Sequence, residues 1–149
     1  MKSFVSTVLV LFFFASVLHA GRPPAKKGES GAELVYRKAQ SIVIPSIVYK
    51  DTSLEECITY LRRKSVEADP QKPGGLNFVS TCRGELNPIT ISAKNISVWD
   101  ACQKVAAQSG VAVSVSSLRI YFHPRGQRPK PQAGEVFYDP TKESKKPAR

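Results

Sequence analysis

Histidine is scarce in this chain of 149 residues, which contains only His19 and His123. A zinc site or a nucleophile–histidine–acid triad needs several converging side chains, and two histidines with scattered cysteines show no such spacing. The short Pro73-Gly74-Gly75 stretch does not resemble a phosphate-binding loop. We therefore expect no catalytic residue, no metal ligand and no cofactor, and the sequence does not indicate an enzyme.

A long apolar run is also missing. The longest covers residues 4–18, whereas a membrane-spanning helix needs about 20 residues. It follows Lys2 and precedes small residues, which is typical of a secretory signal peptide, and we predict that residues 1–20 are removed after Ala20. The alternative is an uncleaved anchor. With cleavage, the protein is expected to be periplasmic or secreted, without a stable membrane span.

Acidic residues are few. The chain has 12 Asp and Glu against 22 Lys and Arg, which gives a formal net charge of +10. Such a balance favours anionic partners, such as an anionic polymer or lipid of the cell envelope. Export argues against nucleic acid as a partner. The alternative is that the charge only keeps flexible segments of the chain in solution.

Cysteine occurs at an odd number of positions, Cys57, Cys82 and Cys102. In an exported protein this leaves at least one thiol free or paired between molecules. Cys57 and Cys102 fall on the apolar faces of two predicted helices and could form a disulfide if those helices are neighbours. The alternative is that both are small buried apolar residues.

What the chain does contain is one stretch used twice, at an offset of 44 residues. Each copy predicts a strand end, a helix cap and an amphipathic helix. Ser53 and Glu56 have the spacing of a capping box in the first copy. Ser97 and Asp100 repeat it in the second, with an acid shorter than the usual Glu. Both helices have one apolar face at positions i, i+3, i+4 and i+7: Leu54, Cys57, Ile58 and Leu61, then Val98, Ala101, Cys102 and Val105.

The predicted order of elements is β-α-β-β-α-β-β, an α+β fold in which two helices cover one face of a small mixed sheet. We predict that this domain covers residues 42–123, after a flexible lead-in over 21–41 in which residues 32–40 could form a short helix. Residues 124–149 are predicted to be a basic, proline-rich, disordered tail. Within that tail Val136, Phe137 and Tyr138 form an apolar island. We expect it to fold back on the sheet edge, and the alternative is a docking segment that adds as a strand to a partner.

Several motifs within residues 46–122 carry a resemblance to a known family. They are Ile47-Val48-Tyr49-Lys50-Asp51-Thr52-Ser53-Leu54, Gly75-Leu76-Asn77-Phe78-Val79, Ile89-Thr90-Ile91, Lys94-Asn95-Ile96-Ser97-Val98-Trp99-Asp100-Ala101-Cys102 and Ser109-Gly110-Val111. This pattern resembles the short N-terminal domain of secretins and TonB-dependent receptors, the STN-like family. The matching stretch covers about half of the chain, and its residues are mostly structural.

The resemblance implies an exported, non-enzymatic protein–protein interaction module of the bacterial cell envelope. No outer-membrane barrel follows the matching stretch, so the gate or receptor function of the family is not carried over. Two alternatives stay open. One is a basic envelope protein that binds an anionic polymer through its tails, and the other is a small thiol-dependent enzyme that uses Cys82 or His123.

The expected partner is another envelope protein, bound by addition of a strand to an open sheet edge. The last predicted strand, residues 118–122, is our choice of edge, with Arg119, Ile120 and Tyr121 as partner-binding residues. Trp99 lies off the apolar face of its predicted helix. It is either a partly covered surface residue or an interface anchor.

Overall fold

The computed structural model describes residues 30–69 and 74–138. The predicted signal peptide, the lead-in up to residue 29, residues 70–73 and residues 139–149 lie outside this described part. Three helices and six strands follow one another in it: α1 (Gly31–Ser41), β1 (Val43–Thr52), α2 (Leu54–Glu67), β2 (Phe78–Ser80), β3 (Ile89–Ser97), α3 (Val98–Ser109), β4 (Ala112–Ser116), β5 (Ile120–His123) and β6 (Phe137–Tyr138).

The α+β class and the order β-α-β-β-α-β-β are confirmed by β1 to β5 with α2 and α3, and the helix α1 and the short strand β6 flank them. The single mixed sheet is wrong. The strands divide into an antiparallel pair, β1–β3, and a sheet of four in the order β2-β5-β4-β6. The crossover rule applies to strands of one sheet, but here α2 and α3 each connect a strand of the pair to a strand of the other sheet.

The sheet β1–β3 joins the two copies of the repeat to each other. Val48 pairs with Ser92, its own counterpart at the offset of 44 residues. On either side of it, Ile47 pairs with Ala93 and Tyr49 pairs with Ile91. At the offset of 44 residues Ile47 corresponds to Ile91, and Tyr49 corresponds to Ala93, so each of these two pairs is the counterpart of the other. The pairing is therefore symmetric about Val48 and Ser92. An internal repeat has thus produced a local pseudo-two-fold strand pair.

Both predicted helix caps are present. Ser53 Oγ accepts from the Glu56 amide at 3.3 Å, and Glu56 Oε2 accepts in return from the Ser53 amide at 3.1 Å, which completes the capping box. In the second copy Ser97 Oγ accepts from the Asp100 amide at 3.0 Å, and the Asp100 carboxylate accepts from the Ser97 hydroxyl. The shorter acid therefore reaches the side chain of the cap.

The apolar faces of α2 and α3 form most of the core. Every position predicted for these faces is buried, as are the inward side chains of both sheets. Helix α2 contacts β1 and β2, and α3 contacts β3 and β4, so both helices touch both sheets. Burial of such a face stabilises a fold in proportion to the apolar area removed from water. No described helix has the length and apolar character needed to cross a membrane.

The flexible lead-in ends earlier than predicted, because residues from Gly31 onward form α1. Ser30 caps this helix by accepting from the Glu33 amide at 3.2 Å. Ala32 and Ala39 are fully buried, and α1 packs on α3 and β4. Small residues on one face allow this close approach. The short helix considered for residues 32–40 is therefore present, and it belongs to the domain, not to a flexible lead-in.

The tail also begins later than predicted. Residues 124–136, which we call the strap, are described, and β6 after them pairs antiparallel with β4. Phe137 lies opposite Ser116, and Tyr138 lies opposite Val115. The apolar island thus folds back on a sheet edge, as expected. The predicted disorder is wrong for residues up to 138, and its prediction for residues 139–149 lies outside the described part.

Candidate interaction edges

The strand chosen as the open edge lies inside the four-stranded sheet. β5 pairs in parallel with β2 and antiparallel with β4, so neither of its sides is open. Ile120 is 0% exposed and Tyr121 is 4% exposed. Arg119, just before β5, keeps 22% of its side chain exposed. The prediction of strand addition at residues 118–122 is therefore wrong, because strand order depends on contacts that residue periodicity does not encode.

Trp99 is a core residue. Its side chain is 6% exposed, and its ring packs edge-on against Tyr36 of α1, with ring centroids 5.1 Å apart. Tyr36 also contacts Tyr138 of β6 at 4.8 Å. Trp99 thus joins α3 to α1, and Tyr36 joins α1 to β6, so Trp99 is not an exposed anchor for a partner. The prediction missed this because it did not count α1 as part of the domain.

A buried carboxylate holds the strap against the four-stranded sheet. Glu135 accepts from the Tyr121 hydroxyl at 2.9 Å, from the Gln132 amide at 3.0 Å and from the Ser116 hydroxyl. Arg119 Nε lies 3.4 Å from the same carboxylate. Burial by itself would raise the pKa of Glu135, but these hydrogen bonds and the arginine charge outweigh it and hold the pKa below its ordinary value. Burial and the Glu135 carboxylate raise the pKa of the Tyr121 hydroxyl.

The strap leaves a groove of about 370 Å³ beside β2 and β5, which we call the strap groove. Arg119, Arg128 and Lys130 give it a basic character. Arg119 is already engaged, because its Nη2 donates to Gln132 Oε1 at 2.7 Å. Arg128 stacks over the ring of Phe137 at 5.5 Å. The strap groove is therefore positively charged, but Arg119 already binds residues of the strap.

The three cysteines are free thiols. The possible disulfide between Cys57 and Cys102 is absent, and both side chains are fully buried among apolar neighbours, which is the interpretation that the sequence favoured. Burial raises the pKa of Cys57 to about 11 and raises that of Cys102 as well. Both are therefore inert core residues.

Neither residue named for a thiol enzyme has the required surroundings. Burial raises the pKa of Cys82, whereas a reactive cysteine needs a depressed pKa. His123 is buried, its Nδ1 lies 3.1 Å from the Pro124 carbonyl oxygen, and its Nε2 has no hydrogen-bond partner among the described residues. Over residues 30–69 and 74–138 no group of His, Cys, Asp and Glu side chains could hold a metal ion.

The two-stranded sheet presents the longest strands and an exposed outer face. Val48, at the centre of the symmetric pairing, is 70% exposed, and Ser92 opposite it is also exposed. Lys50 and Lys94, which correspond to each other in the repeat, lie exposed on either side. Because this sheet has only two strands, each of them has one edge without a strand partner in the described part of the chain.

The backbone of β3 points hydrogen-bonding groups away from β1. The Thr90 amide donates to Gln108 Oε1 of α3 at 2.8 Å. Backbone groups of alternate residues point to the same side of an antiparallel strand. The amide and carbonyl groups of Ser92 and Lys94 therefore point to the same free edge as the Thr90 amide.

A groove of about 520 Å³, which we call the edge groove, runs between this edge of β3 and α3. Its lining combines β3 residues with one face of α3: Ala93, Lys94, Asn95, Ile96, Asp100, Gln103, Lys104 and Ala107. An edge strand beside a helix is the arrangement in which peptide-binding domains accept an added strand. No sequence motif indicated this groove, but the two copies of the repeat differ at the residues that form it.

No known protein family, curated protein or solved structure matches this chain. The resemblance to the N-terminal domain of secretins and TonB-dependent receptors therefore stays a prediction from its motifs. The free edge of β3 and the edge groove beside it are the features that could bind a strand of another protein.

Proposed function

We propose that the chain is an exported, non-enzymatic interaction module of the bacterial cell envelope, which binds another envelope protein by strand addition. The added strand lies along the two-stranded sheet, and the four-stranded sheet is not involved. The main-chain groups supply the affinity, and the side chains of alternate residues supply the selectivity.

The free edge of β3 is the observation that carries this proposal. An unpaired strand edge is a template for pairing with another chain, and proteins usually shorten or cover such edges. β3 has nine residues, whereas the edge strands β2 and β6 of the other sheet have three and two. A partner strand therefore finds the longest runs of main-chain groups at β3 and at β1, which has ten residues.

Two sequence features support the envelope as the location. Residues 1–20 have the pattern of a signal peptide. The motifs of residues 46–122 resemble those of a family whose members act in envelope assemblies through contact with other proteins. The resemblance concerns the domain alone, so it supports an adaptor and gives no identity for the partner.

Photo-crosslinking in the intact envelope tests this function. The full-length chain is expressed in a bacterial host with a photoreactive amino acid at position 92, on the outer face beside the free edge. A matched variant has it at position 118, because Leu118 is exposed near the strap and the other sheet. We expect a discrete crosslinked protein from position 92 in the periplasmic or membrane fraction. Crosslinks of equal intensity from position 118, or retention of the chain in the cytoplasm, would contradict the proposal.

Binding of an anionic polymer is a second candidate, and the basic strap groove favours it. Attraction between exposed charges is screened by salt, so such binding should weaken steeply as ionic strength rises. Arg128→Ala and Lys130→Ala should then reduce retention on an anionic polysaccharide column. Strand addition at β3 predicts no effect of these two substitutions on the position-92 crosslink, and this separates the candidates.

A further inference from the structure

The two copies of the repeat carry different residues beside their edge strands. Three positions of the edge groove differ from their counterparts 44 residues earlier in the chain. Ala93, Lys104 and Ala107 at the second copy correspond to Tyr49, Tyr60 and Arg63 at the first. Two of the three residues are thus much smaller at the second copy.

At the first copy the larger residues close the surface between β1 and α2. Tyr60 packs edge-on against Tyr49, with ring centroids 5.4 Å apart, and the Arg63 guanidinium lies 5.5 Å from the Tyr60 ring. The Tyr60 hydroxyl donates to the Ser46 carbonyl oxygen at 3.1 Å. This carbonyl belongs to the free edge of β1, so a side chain of the same domain already occupies the place of an added strand.

At the second copy the counterpart of Ser46 is Thr90, whose amide donates to Gln108 Oε1 at 2.8 Å, so the open part of this edge begins after Thr90. Ala93 and Ala107 do not fill the space that the tyrosine pair and Arg63 fill at the first copy, and the edge groove of about 520 Å³ remains. Lys94 of β3 lines it, and the main-chain groups of Ser92 point to the same edge. The edge of β3 after Thr90 is therefore the part left open for a partner.

We propose that the edge groove binds an extended, acidic peptide segment of another protein, which pairs with β3 as an added strand. The inference rests on the proposed function and names the partner class of that same edge. Acidic side chains of the peptide lie beside Lys94 on the outer face, and small apolar side chains of the alternate residues enter the space over Ala93 and Ala107, beside Lys104 of α3.

Charge decides between the candidate occupants. Lys94 and Lys104 line the groove with one acid, Asp100, whose carboxylate accepts from the Ser97 hydroxyl at 2.7 Å, so the lining keeps an excess of positive charge. A second copy of this chain would bring a net charge of +10 against these lysines. Residues 139–149 contain four basic residues and two acids, so they carry the same sign. An acidic segment from a different protein is complementary where each of these is repelled.

Binding of synthetic peptides to the full-length chain without its leader tests this inference. The probe is a short peptide that alternates Glu with Val, and its control alternates Lys with Val. We expect the Glu peptide to shift the amide resonances of Ser92 and Lys94 in two-dimensional NMR spectra, with no such shifts from the Lys peptide. Equal shifts from both peptides, or shifts confined to the strap, would overturn the inference.

Two lysines related by the repeat supply a matched pair of variants. Lys94→Glu and Lys50→Glu change the net charge equally, and both side chains are exposed. Only Lys94 lines the edge groove. We expect Lys94→Glu to weaken binding of the Glu peptide by roughly tenfold or more and Lys50→Glu by less than about twofold. Equal losses would show a general charge effect and overturn the inference.

A third variant transfers the closing residues to the open copy. Ala93→Tyr, Lys104→Tyr and Ala107→Arg together should abolish peptide binding, and an unchanged melting curve shows that the domain is still folded. Peptide binding that persists in the folded variant would overturn the inference. If no acidic peptide binds but the crosslink from position 92 remains, the partner class is wrong and the proposed function stands. If neither the binding of the acidic peptide nor the crosslink from position 92 is observed, the free edge of β3 is not the binding site.

Discussion

The hydroxyl of Tyr121 donates a hydrogen bond of 2.9 Å to Glu135 Oε2 and joins the interior strand β5 to the strap. Glu135→Ala would leave the buried hydroxyls of Ser116 and Tyr121 without this acceptor. Hydrogen bonds to a charged group contribute about 1.5–3 kcal/mol, and we expect a loss of that size in the free energy of unfolding by denaturant. Exposed Glu85 is the control, and Glu85→Ala should change stability by less than about 0.5 kcal/mol. An equal effect of both substitutions would contradict the anchoring role.

The same carboxylate predicts a dependence of stability on pH. Burial opposes ionisation of Glu135, but its hydrogen bonds prevail and lower its pKa in the folded state. A lowered folded pKa contributes stability that is fully present above the unfolded pKa of about 4.3 and is lost as the pH falls through the folded pKa. The stability difference between wild type and Glu135→Gln should therefore be constant at neutral pH and should shrink in acid. A difference that grows as the pH falls would contradict this assignment.

The helices of the repeat could be predicted because their signals are local. Ser53 and Glu56 lie within one turn of each other, and the apolar face of α2 repeats with the period of a helix. Burial of Leu54 and Val98 follows from that period alone. The caps and the core faces of α2 and α3 therefore needed no knowledge of the rest of the chain.

The sheets could not be predicted in the same way. Whether β1 pairs with β3, or β5 with β2, depends on contacts between residues far apart in the chain. The strap is a second case, since its proline and basic composition is typical of disorder. Its order comes from the donors that surround Glu135, and Ser116 and Tyr121 belong to other elements. The amino-acid composition of the strap does not indicate these donors, because they lie elsewhere in the chain.

The candidate site has a signal in the sequence, in the differences between the two copies of the repeat. Alignment of the two copies places Tyr60 against Lys104 and Tyr49 against Ala93. A difference in size at matched positions indicates that one copy is filled and the other is open. The structure was needed to show that these positions flank a free strand edge, because neither the partner of β3 nor its distance from α3 follows from the repeat.

The core of the repeat should not tolerate charge. Leu54 and Val98 are the first helical residues after each cap, and both are buried. Burial of an unpaired carboxylate costs several kcal/mol, comparable with the whole stability of a small domain. We expect Leu54→Asp and Val98→Asp to unfold the protein in circular dichroism melts. Leu118→Asp, at a position 52% exposed, is the control and should melt as wild type does. A wild-type melting curve for either core variant would refute the helix faces.

The native thiols should differ in reactivity. Cys57 and Cys102 are buried and Cys82 is partly exposed. Alkylation needs a thiolate that the reagent can reach, and burial suppresses both conditions. With iodoacetamide at neutral pH we expect mass spectrometry to find Cys82 modified first, and all three cysteines modified in denaturant without a reductant. Two cysteines that stay unmodified in denaturant until a reductant is added would show a disulfide instead.

Asp51 and Asn95 hold the same unusual backbone conformation at equivalent positions of the repeat, with φ of 49° at both. Each residue turns the chain from the end of its strand toward the helix cap two residues later. The left-handed region costs most residues roughly 1–2 kcal/mol, whereas glycine enters it freely and Asn and Asp enter it more readily than other residues.

We therefore expect Asn95→Val to lower the free energy of unfolding by roughly 1–2 kcal/mol and Asn95→Gly to change it little. Asp51→Val should lower it as well. A further loss is expected there, because the substitution removes the Asp51 carboxylate, which accepts from the Thr90 hydroxyl at 3.3 Å. Denaturant unfolding of the four variants, including Asp51→Gly, separates the cost of the backbone conformation from the loss of the side-chain hydrogen bond. If valine and glycine cost the same at position 95, the backbone conformation is not the cause.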